Sequence, residues 1–289
     1  MDWIEVRVTV TPEAVEAVTH LLLQEGAGGV VEEGPAVRTA YLADVGDVEA
    51  RVDRIRRSVA GLGRFGLDPG PARVEWRRIA EESWAHAWKE HFHTLRIGER
   101  IVIRPSWRSY TPGPGEVVID LDPGMAFGTG SHPTTALCLQ ALEKLVRPQD
   151  VVYDIGTGSG ILAIAAALLG AGRVEACDID PVAVRVAASN VEKNRVSDRV
   201  RVVQGDWRVL PAGEADLVVA NIVASVIIEM AQEVPRLVKP GGHFVASGII
   251  VERLDEVKDA LASSGVLAVQ AQVDGEWAAL IGRVGEKRL

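Results

Sequence analysis

Cysteine is scarce in this 289-residue chain: Cys138 and Cys177 are the only two. Neither has the Cys-x-x-Cys spacing of a metal or redox site, so both are expected to serve packing. Long apolar runs are also missing. The strongest, "ILAIAAALLGA" from Ile161, falls short of the roughly 18 to 20 residues that a membrane span needs, and it reads as a buried helix. The first ten residues, "MDWIEVRVTV", begin with an acid and then alternate. They lack the basic start and apolar run of a secretory signal, so a cytoplasmic protein is expected. Positive charge is in deficit, with 31 Lys and Arg against 40 Asp and Glu, a net charge of -9 and a pI near 5.3. That balance argues against a phosphate backbone as the main partner and suits a basic protein better. A hydrophobic share of 47% places the chain among globular proteins long enough for two domains.

Residues 1–78 alternate as strand, helix, strand, strand, helix, strand. "WIEVRVTV" has period two, and Thr11-Pro12 opens a helix carrying Val15, Val18, Leu21 and Leu22. "GGVVEE" and "VRTAYLA" read as a strand pair, "VEARVDRIRRSVAGL" as a second helix and "ARVEWRRIA" as a closing strand. This order predicts a small α+β domain of ferredoxin-like arrangement. It holds no catalytic constellation, which leaves recognition of a substrate as its expected role and scaffolding or dimer contact as the bland alternative. Residues 79–94 form an expected linker helix, with Trp84, Trp88 and Phe92 on one side for packing. His86, His91 and His93 lie nearby, but His91 and His93 face opposite ways on a helix and no metal site is expected.

From residue 95 to 289 strands and helices alternate after the turn-rich "TPGPGE". "VVYDIG", "RVEACDI", "RVRVVQGD", "ADLVVANIV" and "GGHFVASGI" are nearly continuous in apolar residues, as parallel strands covered on both faces should be. "LAVQAQVDGEWAALIGRV" reads as a closing antiparallel pair. The expected fold is therefore a doubly wound α/β sheet with an antiparallel C-terminal pair.

In such sheets the ligand sits beyond the carboxyl ends of the strands, and the first strand-to-helix turn is the grip. Here that turn is "DIGTGSG", carrying Asp154, Gly156, Gly158 and Gly160. Its third glycine comes one residue earlier than the dinucleotide fingerprint requires. Asp154 would also oppose a diphosphate while favouring a cation, as in the sulfonium and amino group of S-adenosyl-L-methionine. Asp178, 22 positions after Gly156, is placed to bind ribose hydroxyls, and an NAD enzyme would carry an acid there too. Ile179 can lie against adenine. Asp180, before Pro181, is expected to cap a helix. Asp206 of "QGDW" is a candidate for the adenine amino group or an ordinary turn acid. Asn221 of "VVANIVAS" ends the fourth strand, where reacting atoms would meet. A second glycine-rich stretch, "FGTGSHPTT", places Phe127 as a shield for the sulfonium, since a cation over an aromatic face gains roughly 0.5 to 2 kcal/mol.

The run "LDPGMAFGTGSHPTT", then "DIGTGSGILAIAA", "CDIDPVAV" and "VVANIV", together with the N-terminal α/β module and the aromatic linker, resembles the ribosomal protein L11 methyltransferases. The resemblance spans essentially the whole chain, and "DPGMAFGTGSHPTT" is far more specific than the glycine turn that all class I methyltransferases share. It implies that Thr135, Gly156, Asp178 and Asn221 bind S-adenosyl-L-methionine. It further implies methylation of lysine side chains and the N-terminal amine of ribosomal protein L11, docked by the first domain. In that chemistry the side-chain carbonyl of Asn221 and the backbone carbonyl of Ile222 would take amine hydrogens, with His132 an optional proton acceptor that solvent can replace. The aromatic that would stack on a flat base or amide is missing from Asn221-Ile-Val-Ala, which favours an aliphatic amine. Other readings that the residues allow are a class I methyltransferase acting on another protein or a small-molecule amine, an NAD-dependent oxidoreductase, and a non-catalytic adapter that senses the cofactor.

Overall fold

A computed structural model describes residues 3–27, 30–44, 46–65, 67–79, 93–122, 130 and 132–285. The expected linker helix with Trp84, Trp88, Phe92, His86 and His91, and the shielding residue Phe127, lie outside the described residues. The chain divides into two compact units, with the change between His93 and Thr94.

In the first unit the elements are β1 (Trp3–Thr9), α1 (Val15–Gln24), β2 (Val30–Glu32), β3 (Val37–Ala43), α2 (Val48–Ala60) and β4 (Arg73–Ile79). The sheet order is β2-β3-β1-β4 and every pairing is antiparallel, the ferredoxin-like order anticipated from the pattern. Alternation in β1 sends Ile4, Val6 and Val8 inward, each fully buried. Val15, Val18 and Leu22 of α1 and Val52, Ile55 and Val59 of α2, at helical spacing, join them in one core. Pro12 opens the first helical turn, where its missing N–H costs nothing.

The second unit begins with a three-stranded sheet of β5 (Leu95–Ile97), β6 (Ile101–Arg104) and β7 (Val117–Asp120), in which β6 and β7 run parallel. By pattern alone, 96–107 reads as a single strand-like stretch. Gly98 at φ +64° instead starts a turn that folds it into a hairpin. Then come α3 (Pro133–Leu145), β8 (Val151–Ile155), α4 (Ile161–Leu169), β9 (Arg173–Asp178), α5 (Pro181–Lys193), β10 (Val200–Gln204), β11 (Ala215–Asn221), α6 (Ala224–Met230), α7 (Val234–Leu237), β12 (Val238–Ile250), α8 (Leu254–Ser263), β13 (Val266–Asp274) and β14 (Trp277–Val284).

The main sheet has the order β10-β9-β8-β11-β12-β14-β13. Its first five strands are parallel, and β14 is antiparallel to both neighbours. Burial on both faces follows strand parity. Val152, Leu217, Val219 and Val245 enter one core with α3 and α4, while Tyr153, Val218, Phe244 and Ala246 enter the other with α6, α7 and α8. Cys138 and Cys177 are buried and free, as packing residues should be. At the outer edge, β13 exposes Leu267 and Val273, and its pairing with β14 slips by one residue between Leu267 and Gln270. The chain leaves β8 toward β9 and β10 on one side and returns to β11 and β12 on the other, so the switch point lies between β8 and β11.

Candidate active site

The turn after β8 needs its glycines for conformation and for space. Gly156, Gly158 and Gly160 have φ of +72°, +54° and +84°, the left-handed region that costs other residues ~1–2 kcal/mol. A Cβ on Gly156 would stand 2.3 Å from Cγ2 of Ile222, and one on Gly160 would stand 3.2 Å from Ala187. The turn is therefore squeezed between the end of β11 and α5. It is also strapped to β9: Gly156 and Thr157 donate their N–H groups to the Cys177 carbonyl at 2.9 and 3.0 Å, and Gly158 N–H donates to Asp178 Oδ2 at 2.9 Å. The Asn190 amide holds the Ser159 carbonyl at 2.8 Å.

Asp178 thus joins the turn to the end of β9, its other oxygen accepting from Asp180 N–H at 3.0 Å. Each carboxylate oxygen has a second lone-pair direction, so both can still accept from a diol. Next to it Ile179 is 74% exposed, an apolar side chain standing free at the rim. Asp180 caps α5 through Val182 N–H at 2.7 Å.

Asp154 sits deeper than the sequence suggests. Its carboxyl is fully buried beneath the turn, and Oδ2 accepts from the Thr157 hydroxyl at 2.6 Å and Ala163 N–H at 3.1 Å. Oδ1 is buried without a partner. Burial pushes this carboxyl up to about 7 and the nearby Asp178 charge adds to the rise, against the two hydrogen bonds that pull it down. At neutral pH the group is poised between its two forms, and a cation above the turn favours the charged one.

Asp206 caps a short 3-10 turn through Arg208 N–H at 2.8 Å, and its other oxygen pairs with the Arg208 guanidinium at 2.5 Å. That guanidinium lies 4.5 Å from the Trp207 ring centroid. The Trp207 indole N–H is buried without a partner, a feature with no signal in the sequence.

Asn221 ends β11 on the far side of the turn. Its amide N–H donates to Thr135 Oγ1 at 3.3 Å, while Oδ1 is closed off from solvent with no partner. Thr135 lies in the first turn of α3 and is fully buried. Ile222 N–H donates to the Ser247 carbonyl at 3.1 Å, and its own carbonyl faces Gly248, where a Cβ would come within 2.3 Å of the oxygen. His132 caps α3 through Thr134 and meets the Trp277 ring edge-on, with centroids 4.9 Å apart. The structure therefore brings Asp154, Gly156, Gly158, Gly160, Asp178, Ile222, Asn221 and Thr135 into one chain of contacts; Asp206 follows Gly205, whose N–H donates to the Asp178 carbonyl at 2.9 Å, and its carboxylate is engaged with Arg208.

A parallel sheet that closes with an antiparallel pair in this order, its glycine turn strapped to an acid at the next strand end, is the fold of a class I methyltransferase. The sequence matches the family described as "Ribosomal protein L11 methyltransferase (PrmA)" over residues 2–285. A ribosomal protein L11 methyltransferase of Pelotomaculum thermopropionicum is 46% identical over 308 aligned residues, covering 98% of this chain and 99% of that protein. One from Geobacillus thermodenitrificans is 41% identical, with 97% and 99% covered. The crystal structure of a ribosomal protein L11 methylase from Lactobacillus delbrueckii subsp. bulgaricus superposes with a TM-score of 0.62 at 32% identity, covering 68% of this chain and all of that one. The chain belongs to the ribosomal protein L11 methyltransferase family. Among the described residues no helix is long and apolar enough to cross a membrane.

Proposed function

We propose that this methyltransferase moves methyl groups from S-adenosyl-L-methionine to primary amines, the lysine side chains and N-terminal amine of ribosomal protein L11, in the cytoplasm and on L11 either free or on the ribosome. The observation that carries the reading is Asn221 Oδ1, a dry and unpaired acceptor one residue before Ile222, whose side chain rests on Gly156. A buried acceptor without a donor costs about 1–3 kcal/mol, which is tolerable in a site that receives the donor with its substrate.

The residues present fit the cofactor. The backbone from Gly156 to Gly160 comes close with no Cβ in the way, Asp178 has lone pairs for the ribose hydroxyls, and Ile179 offers an apolar face to adenine. Asp206 reaches an adenine amino group only by sharing its carboxylate with Arg208. Asp154 lies under the turn as a buried charge whose ionised form a positive ligand favours. When bound, the cofactor supplies an electrophilic methyl on a positively charged sulfur, and Phe127 is the residue we assign to shield it. Asn221 Oδ1 and the Ile222 carbonyl then accept hydrogens of the incoming amine and aim its lone pair, so that rate comes mainly from alignment. A free lysine amine with a pKa near ~10.4 is neutral in about one of ~2,500 molecules at pH 7, and desolvation beside a positive sulfur lowers that pKa. Solvent takes the proton. Residues 1–78 dock the target, and the net charge of -9 suits a basic one.

The test is mass spectrometry of L11 after incubation with enzyme and S-adenosyl-L-methionine. Mass increments of whole methyl groups on lysine or the N-terminal amine are expected; an unmodified L11, with label appearing on another component of a ribosomal extract, would overturn the target.

A further inference from the structure

We infer that Trp277 is the wall of the acceptor site that receives the methyl groups of a partly methylated amine, and so governs whether transfer stops after one methyl or goes on. The inference rests on the amine chemistry proposed above and adds a residue that this chemistry does not use for the first transfer.

Two routes through the structure lead from Asn221 to this indole. Along the sheet, Asn221 lies opposite Ser247 of β12, whose hydroxyl donates to the Ala278 carbonyl at 2.9 Å, and Trp277 precedes Ala278 at the start of β14. β11 and β14 are two strand spacings apart, roughly 10 Å. Above the sheet, the start of α3 touches both residues: Thr135 Oγ1 meets Asn221, and the His132 ring meets the Trp277 ring with centroids 4.9 Å apart. His132 is itself fixed, its Nδ1 lying 2.7 Å from the Thr134 hydroxyl. Asn221 and Trp277 therefore share the α3 side of the carboxyl rim. A bulge completes the wall. Between Ala246 and Ile249, β12 carries one residue more than β14, with Gly248 at φ +84°, so Ile249 turns into the far core while Ile250 comes opposite Trp277 and stays exposed. The His132 contact, at 65° between ring planes, takes at most one face of the indole, and Trp277 is only half-buried.

Repeated transfer needs such a wall. Each transfer forms an N–C bond, breaks the S–C bond of the methyl donor and releases one ammonium proton to solvent. A primary amine ready to attack has two hydrogens for two acceptors, Asn221 Oδ1 and the Ile222 carbonyl. After one methyl it has one hydrogen, and after two it has none. Hydrogen bonds alone therefore align the first substrate best and the later ones progressively worse. Methyl groups on a cationic nitrogen are held instead by an aromatic face, the surface that recognises quaternary ammonium ligands in general.

The experiment titrates the full chain, saturated with S-adenosylhomocysteine, with two probes in turn: Nα-acetyl-lysine amide and its Nε-trimethylated form. The wild type should bind the trimethylated probe about three- to tenfold more tightly, Trp277→Leu should erase that preference and Trp277→Phe should keep most of it. Affinity for S-adenosylhomocysteine should stay within about twofold in both variants, because the indole is assigned to the acceptor and not to the cofactor. Equal binding of the two probes by the wild type, or a preference that survives Trp277→Leu, overturns the inference. Loss of S-adenosylhomocysteine affinity in both variants would make Trp277 a packing residue and overturns it too. With L11 as substrate, mass spectrometry adds a second readout: Trp277→Leu should slow the later methyls about tenfold more than the first, so that singly methylated amines accumulate. An unchanged distribution of products would count against the wall. The probe titrations need no L11, so an unmodified L11 would remove the proposed target while this inference still stands or falls by itself.

Discussion

Asp154→Asn should stabilise the ligand-free protein above neutral pH while weakening its hold on the cofactor. The carboxyl is fully buried, Oδ1 has no partner, and its titration is displaced from 3.8 to about 7. A displacement of that size corresponds to ~4 kcal/mol, withheld from the fold when the group is ionised. Between pH 4 and 7 the native state keeps a proton that the unfolded chain has released, so this group makes stability fall as pH rises through that window and become level above it. Asparagine removes the charge and keeps an oxygen for Thr157 and Ala163, but leaves an N–H pair where Oδ1 lacked a donor, at a cost of ~1–3 kcal/mol. The net gain at pH 8 is then about 1–3 kcal/mol, or roughly 2 to 10 °C in melting temperature. Loss of a negative charge beneath the turn should weaken a cationic ligand, and a change of about 1.4 kcal/mol would be a tenfold rise in Kd. Thermal melts of both proteins from pH 4 to 9, with calorimetry for the cofactor, measure these effects. The difference in stability between variant and wild type should rise from pH 4 to 7 and then stay constant. A flat difference, or a variant less stable than the wild type at pH 8, would refute the buried charge.

Gly156→Ala should cut cofactor affinity at least tenfold, because the new methyl at φ +72° would meet Ile222 Cγ2 at 2.3 Å. Adding Ile222→Ala removes that obstacle and should return part of the affinity but not the conformational cost; no recovery in a titration would show that Ile222 is not the obstacle. Asn221→Ala should lower kcat by about tenfold or more and cofactor affinity by less, and equal losses in both would make Asn221 a binding residue only. Asp178→Ala removes the acceptor for Gly158 N–H as well as the ribose acceptor, so cofactor affinity should fall by roughly 2 to 3 kcal/mol. An unchanged Kd would remove Asp178 from the site.

Local pattern suffices for what is local. Period-two and period-3.6 spacing locates the elements of the first unit and the strands of the main sheet, and the glycine turn, the strand-end acids and the Asp180 cap are readable because each depends on residues close in sequence. The depth of Asp154 is not readable, since a strand-end acid looks the same whether it faces a crevice or lies beneath its floor. The small sheet of β5, β6 and β7 also escapes: its parallel pair joins Ile101–Arg104 to Val117–Asp120 across a turn-rich stretch with no helix between them. Asp206 gives no sign that Arg208, two residues on, occupies it. The Thr135–Asn221 contact is beyond any periodicity, because it is made only when α3 packs beside the end of β11.

The slipped register of β13 has a consequence outside the site. From Val266 to Val273 this border strand carries no charge, and it shows Leu267 and Val273 to water, so it lacks the lysines that commonly repel a stray chain. A foreign strand laying itself along this border would be in step with the stretch from Gln270 to Asp274 and out of step by one residue on reaching Leu267. The extra residue therefore acts as a jammed tooth in a zipper, guarding against fibrillar stacking where charge does not.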